Sequence, residues 1–114
     1  MKQDRLLLKH AVGGKVLLDT AAEEAPYELS RAEKGGEWRL AIETPRKDWV
    51  QALLYGKLEL NVFLFPAPVD GQPVRKLWFY LGEKGAAYDA EARKLLLSGP
   101  SHIEYEPSSF GFVN

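Results

Sequence analysis

The stretch Ala87-Tyr88-Asp89-Ala90-Glu91-Ala92-Arg93-Lys94-Leu95-Leu96-Leu97-Ser98 sets the fold class of the whole chain. Tyr88, Ala92, Leu95 and Leu96 recur at helical spacing, and Asp89/Arg93 and Glu91/Lys94 fall where surface pairs form on a helix. Gly99-Pro100 follows as a stop, so the spacing predicts an amphipathic helix over about 87–98. A second predicted helix lies upstream, opened by Thr44 as N-cap and Pro45 at the first helical position. Trp49, Val50, Leu53 and Leu54 form its buried stripe, and Gly56 supplies its left-handed stop.

The rest of the chain alternates as strands do. Leu58, Leu60, Val62 and Leu64 interleave with Lys57, Glu59, Asn61 and Phe63. A proline-rich loop over 66–73, with Asp70-Gly71 at its tip, leads into a strand over 74–81. That strand places Leu77, Phe79 and Leu81 on one face and Val74, Lys76, Trp78 and Tyr80 on the other. Residues 102–106 alternate again, Pro107 interrupts them, and 108–114 form an apolar-aromatic tail.

Near the start, Gly35-Gly36 predicts a two-residue hairpin loop in which Glu33 faces Trp38, Arg31 faces Leu40 and Leu29 faces Ile42. Tyr27, Leu29, Trp38, Leu40 and Ile42 then share one side, and Glu28, Ser30, Lys34, Glu37, Arg39 and Glu43 the other. Gly13-Gly14 predicts an earlier hairpin pairing 5–12 with 15–20. Its apolar residues fall on both faces, so it is either more central or differently registered. The predicted order β-β-β-β-α-β-β-α-β is an α+β fold, a mainly antiparallel sheet of about six or seven strands with two amphipathic helices packed on one face.

Composition bounds function. The 114 residues, 46% hydrophobic and 27% charged, are expected to form one globular domain over 1–114 that closes its core without metal or disulfide. Fifteen Lys and Arg against sixteen Asp and Glu leave a net charge of -1, hence no general electrostatic basis for binding nucleic acid or an anionic membrane. The absence of cysteine excludes disulfides, thiolate metal sites and cysteine nucleophiles. Leu6-Leu7-Leu8 is too short an apolar run for a signal or membrane span, and a cytoplasmic protein is expected.

Few residues suggest chemistry. His102, Glu104 and Glu106 share a strand face and are the candidate metal ligands, with His10 able to join them if the first and last strands are neighbours. Ser101-His102 has no third group to orient the base, and adjacent side chains on a strand point apart. The two Gly-Gly pairs lack a phosphate-binding frame, and Arg46-Lys47 and Arg93-Lys94 are balanced by neighbouring acids. No catalytic residue and no cofactor is assigned.

The feature with most weight is an aromatic set, Phe63, Phe65, Trp78 and Tyr80, opposite an already apolar strand face. These residues, with Phe110 and Phe112 of the tail, are the candidate interaction surface of a small non-enzymatic domain that binds another protein or forms a homodimer. The plainer expectation is that the sheet's own curl, the N-terminal hairpin or Phe110 and Phe112 close over this face as part of the domain's core. The competing expectation is a ligand-binding or enzymatic domain with a pocket between sheet and helices, its polar groups drawn from His102, Glu104, Glu106 and His10.

Overall fold

A computed structural model describes residues 4–33, 35–67, 70–71, 74–82 and 85–105. Among these the chain forms nine strands and one helix of seven residues. The elements are β1 (Arg5–His10), β2 (Val16–Asp19), β3 (Tyr27–Arg31), β4 (Trp38–Glu43), α1 (Asp48–Leu54), β5 (Leu60–Phe65), β6 (Lys76–Tyr80), β7 (Ala86–Asp89), β8 (Lys94–Gly99) and β9 (Ser101–Tyr105). Two antiparallel sheets result, one of five strands ordered β2-β1-β5-β6-β9 and one of four ordered β3-β4-β8-β7.

The expected α+β fold is therefore corrected: the second helix does not form, and the first does not share a sheet face with a partner. Residues 87–98 are two strands around a turn. Asp89 Oδ1 accepts the backbone N–H groups of Glu91 and Ala92, each at 3.1 Å, and Arg93 takes a left-handed φ of 56°. The burial that follows has period two, with Leu95 and Leu97 at 0% and 2% exposure and Leu96 at 39%. Tyr88 and Leu95, two helical turns apart in the expected helix, are directly paired across the hairpin. Pairing of β8 with β4 over its whole length outweighs the helix propensity of an Ala/Glu/Arg/Lys/Leu segment.

Gly99-Pro100 is likewise a corner rather than a helix stop. The chain leaves the four-stranded sheet at Gly99, spends one residue at Pro100, and enters the five-stranded sheet at Ser101. A Cβ on Gly99 would collide with the Tyr80 carbonyl oxygen and lie 2.7 Å from Trp38 Nε1. The bare backbone there lets the Trp38 indole donate to the Tyr80 carbonyl at 3.0 Å, tying β4 of one sheet to β6 of the other.

The two inner faces enclose one buried cluster. Leu6, Leu8, Val62, Leu77 and Phe79 come from the five-stranded sheet, Trp38, Leu40, Ile42, Leu95 and Leu97 from the other, and Val50 and Leu53 from α1. That helix begins three residues later than expected. Thr44 continues the β4–β8 pairing by donating its N–H to Arg93 O and accepting the Tyr88 hydroxyl, so it ends the strand instead of capping the helix. Lys47 is the N-cap, with no side-chain hydrogen bond. The predicted stop is present: Gly56 has φ 72°, Gly56 N donates to Leu53 O, and Lys57 N donates to Ala52 O, a paired closure of the last turn.

Both glycine hairpins differ from expectation in register. β3 and β4 pair Leu29 with Leu40 and Arg31 with Trp38, two residues away from the two-residue-loop prediction. Ala32 N donates to Glu37 O, so the loop spans 33–36. A shift of two preserves the faces, and Trp38, Leu40 and Ile42 are buried while Glu28, Ser30 and Arg39 are exposed. In the first hairpin His10 N donates to Lys15 O around a loop at 11–14, and a bulge interrupts the ladder between Leu8 and Lys9. β1 lies inside its sheet between β2 and β5, and Leu6, Leu7 and Leu8 are all buried.

The period-two burial of β8 is testable by truncation. Leu97→Ala is expected to cost about 2–5 kcal/mol and Leu96→Ala under about 1 kcal/mol in urea unfolding. Equal losses would contradict the strand.

Candidate functional site

In β5 and β6 the alternation that sends Val62, Leu64, Leu77 and Phe79 into the core sends Phe63, Phe65, Trp78 and Tyr80 to the outer face of the five-stranded sheet. All four are half-buried. The register aligns them with further apolar residues, so that Leu7, Phe63, Trp78 and Ile103 form one row across β1, β5, β6 and β9. Arg5 faces Phe65 and Lys9 faces Asn61 in β1–β5, while Lys76 faces Tyr105 and Tyr80 faces Ser101 in β6–β9.

The rings pack against each other. Phe63 and Trp78 have centroids 5.9 Å apart across the strands, and Trp78 and Tyr80 lie 4.7 Å apart along β6. Lys76 Nζ sits 4.3 Å from the Phe63 centroid and 5.7 Å from that of Phe65, and Arg5 Cζ lies 5.7 Å from the Phe65 ring. The result is an aromatic ridge with cations over its rings. Leu7, at 7% exposure, lies outside the inter-sheet cluster.

Leu7 and Ile103 belong to the row and escaped the sequence reading. Leu6-Leu7-Leu8 was the available signal, because three consecutive buried positions mean a strand apolar on both faces. Ile103 is 45% exposed on the edge strand, in a segment read for its histidine and glutamates instead. Phe110 and Phe112 lie outside the described residues.

Of the candidate metal ligands, His102 and Glu104 share the inner side of β9 and have separate engagements. His102 is buried, stacks on Phe79 at 5.2 Å, and its Nδ1 lies 2.7 Å from the Gly36 carbonyl oxygen. A carbonyl only accepts, so Nδ1 carries the proton. Its backbone N–H donates to Gly35 O, latching the β3–β4 loop to the edge strand. Glu104 accepts from Arg75 and lies 3.9 Å from Arg31. Among the described residues no three His, Asp or Glu side chains converge, and Glu106 lies outside them. The expected approach of His10 to His102 is corrected, because β5 and β6 separate their strands and His10 Nδ1 instead accepts the Val12 N–H.

A cleft of about 570 Å³ lies on the outer face of the four-stranded sheet, lined by Glu28, Arg39, Ala41, Ala87, Leu96 and Ser98 among others. Among the described residues the second helix that was to wall a pocket for the imidazoles and carboxylates is instead the β7–β8 hairpin. Among the described residues no helix is long and apolar enough to cross a membrane. Neither known protein families, curated proteins nor solved structures show a match to this chain.

One ion pair borders the ridge. Arg5 donates from Nε to Asp19 Oδ1 at 2.9 Å and from its terminal nitrogen to Oδ2 at 2.7 Å, and the Ala21 N–H adds a third bond. The Arg5 guanidinium holds the Asp19 carboxyl below its ordinary value. A carboxyl lowered in the folded state contributes stability at neutral pH, and this is lost as pH falls below about 4 through the folded value. Asp19→Asn should therefore cost under about 1 kcal/mol at pH 7, given the pair's exposure, and the gap from wild type should close toward pH 3. A gap of equal size at both pH values would contradict the ion pair.

Proposed function

We infer that this chain is a small cytoplasmic, non-enzymatic interaction domain whose binding surface is the aromatic ridge on the outer face of the five-stranded sheet. One observation carries the reading: Leu7, Phe63, Trp78 and Ile103 line up across four strands on the face opposite a core that Phe79, Leu77 and Val62 already fill. A row of this length on an outer face needs a cover, and aromatic side chains and arginine are enriched at protein interfaces. The chemistry on offer is that of contact, ring faces, aliphatic carbons and ammonium groups, which suits a protein surface better than a reacting substrate.

Adjacent residues on opposite faces supply the test. Phe79→Ala, in the core, is expected to cost about 3–5 kcal/mol, whereas Trp78→Ala should cost about 1 kcal/mol. Association, read as solution mass and as proteins retained by the immobilised full chain, should fall at least tenfold with Trp78→Ala. A loss of thermal stability matching that of Phe79→Ala, with association unchanged, would make the ridge a second core layer and overturn the reading.

A further inference from the structure

The four-stranded sheet has an outer face of the opposite shape. Its register aligns Glu28, Ala41, Leu96 and Ala87 in one row across β3, β4, β8 and β7. Two of these positions are alanine, so the surface sinks beside the taller Arg39 and Leu96, and the cleft of about 570 Å³ results. That volume falls in the range of roughly 300–1,000 Å³ typical of small-molecule pockets, ample for a pair of aromatic rings. Leu96 is exposed in the cleft although its neighbours Leu95 and Leu97 are core residues.

Charge differs between the outer faces in the same complementary sense. The paired strands of the five-stranded sheet present Arg5, Lys9 and Lys76 with Asp19, while those of the four-stranded sheet present Glu28, Glu43 and Asp89 with Arg39 and Lys94. One face has an excess of cations and the other an excess of carboxylates. Ridge against ridge would oppose like charges and stack bulk on bulk, and cleft against cleft would leave a void.

We propose that the aromatic ridge of one copy seats in the alanine-lined cleft of the next, so that the protein associates head to tail through two different faces of the same chain. The inference rests on the reading of the ridge as a binding surface. Both rows cross four strands, a span of about 14 Å at ~4.8 Å per strand step, and sheets stacked face to face approach to about 10 Å. The matched patch is roughly 15 by 15 Å, short of the ~800 Å² per partner of a stable interface, so the association is weak and concentration-dependent. A heterologous contact of this kind does not close on itself in a pair, and mass should continue to grow past the dimer.

Two variants that each lose one face make the test. Trp78→Ala keeps the cleft, and Leu96→Arg keeps the ridge, with Ala87→Arg as a second block of the cleft and thermal transitions confirming that each variant is folded. Sedimentation velocity of the full chain from about 10 μM to about 1 mM should show wild-type mass rising beyond a dimer, and less so at high salt. Each variant alone should associate at least tenfold more weakly, and an equimolar mixture should form a one-to-one dimer and stop. Cleft variants that dimerise like wild type would overturn the proposal in favour of a two-fold ridge contact. Wild type that stays monomeric throughout would also overturn it, and the ridge reading would then stand or fall separately, on whether Trp78→Ala loses proteins that wild type retains.

Discussion

The sandwich depends on the contact between Trp38, Gly99 and Tyr80. Trp38 projects from β4 of the four-stranded sheet, is 1% exposed, donates its indole N–H to the Tyr80 carbonyl of β6, and lies 5.1 Å from the Phe79 ring. Gly99 must lack a side chain for that indole to reach, and it is also where the chain crosses from one sheet to the other. The Gly35 and Gly36 carbonyls close the junction from the far side through the backbone and ring of His102. Together these bonds set which side of β6 faces inward. With Phe79 held against Trp38 and His102, strand geometry leaves Trp78 no direction but outward.

The outer ridge is thus a consequence of how the core closes. Its half-buried rings pack against one another at tilted angles and lie beneath Lys76 and Arg5. The opposite outer face is shallow because its central row uses alanine where the ridge uses tryptophan and phenylalanine. A protein with both shapes on its two outer faces carries the two halves of one contact.

Where alternation was strict, the sequence was legible. The faces of β5 and β6, and with them Phe63, Phe65, Trp78 and Tyr80, follow from period-two reading alone. Residues 87–98 were not legible, because a hairpin that pairs Tyr88 with Leu95 imitates helical spacing and its residues are strong helix formers. The misreading also hid the cleft, whose Leu96 and Ala87 lie in that segment. The hairpin registers differ from two-residue-loop pairing by steps that loop length and, in the first hairpin, the bulge between Leu8 and Lys9 decide. For Gly35-Gly36 the two-residue offset left every side chain on its expected face, as strand periodicity requires. His102 was legible as a residue of interest but not in its role, since its partner carbonyl lies 66 residues away.

Trp38 locks the interior while Trp78 stands outside the inter-sheet core. Hydrogen exchange of the indole N–H groups, followed by NMR on a dilute sample, reads both at once. The Trp38 indole, hydrogen-bonded and buried, should exchange only through large-scale opening, and the Trp78 indole orders of magnitude faster. Equal protection of the two would mean that the chain covers its own outer face and that Trp78 belongs to the interior.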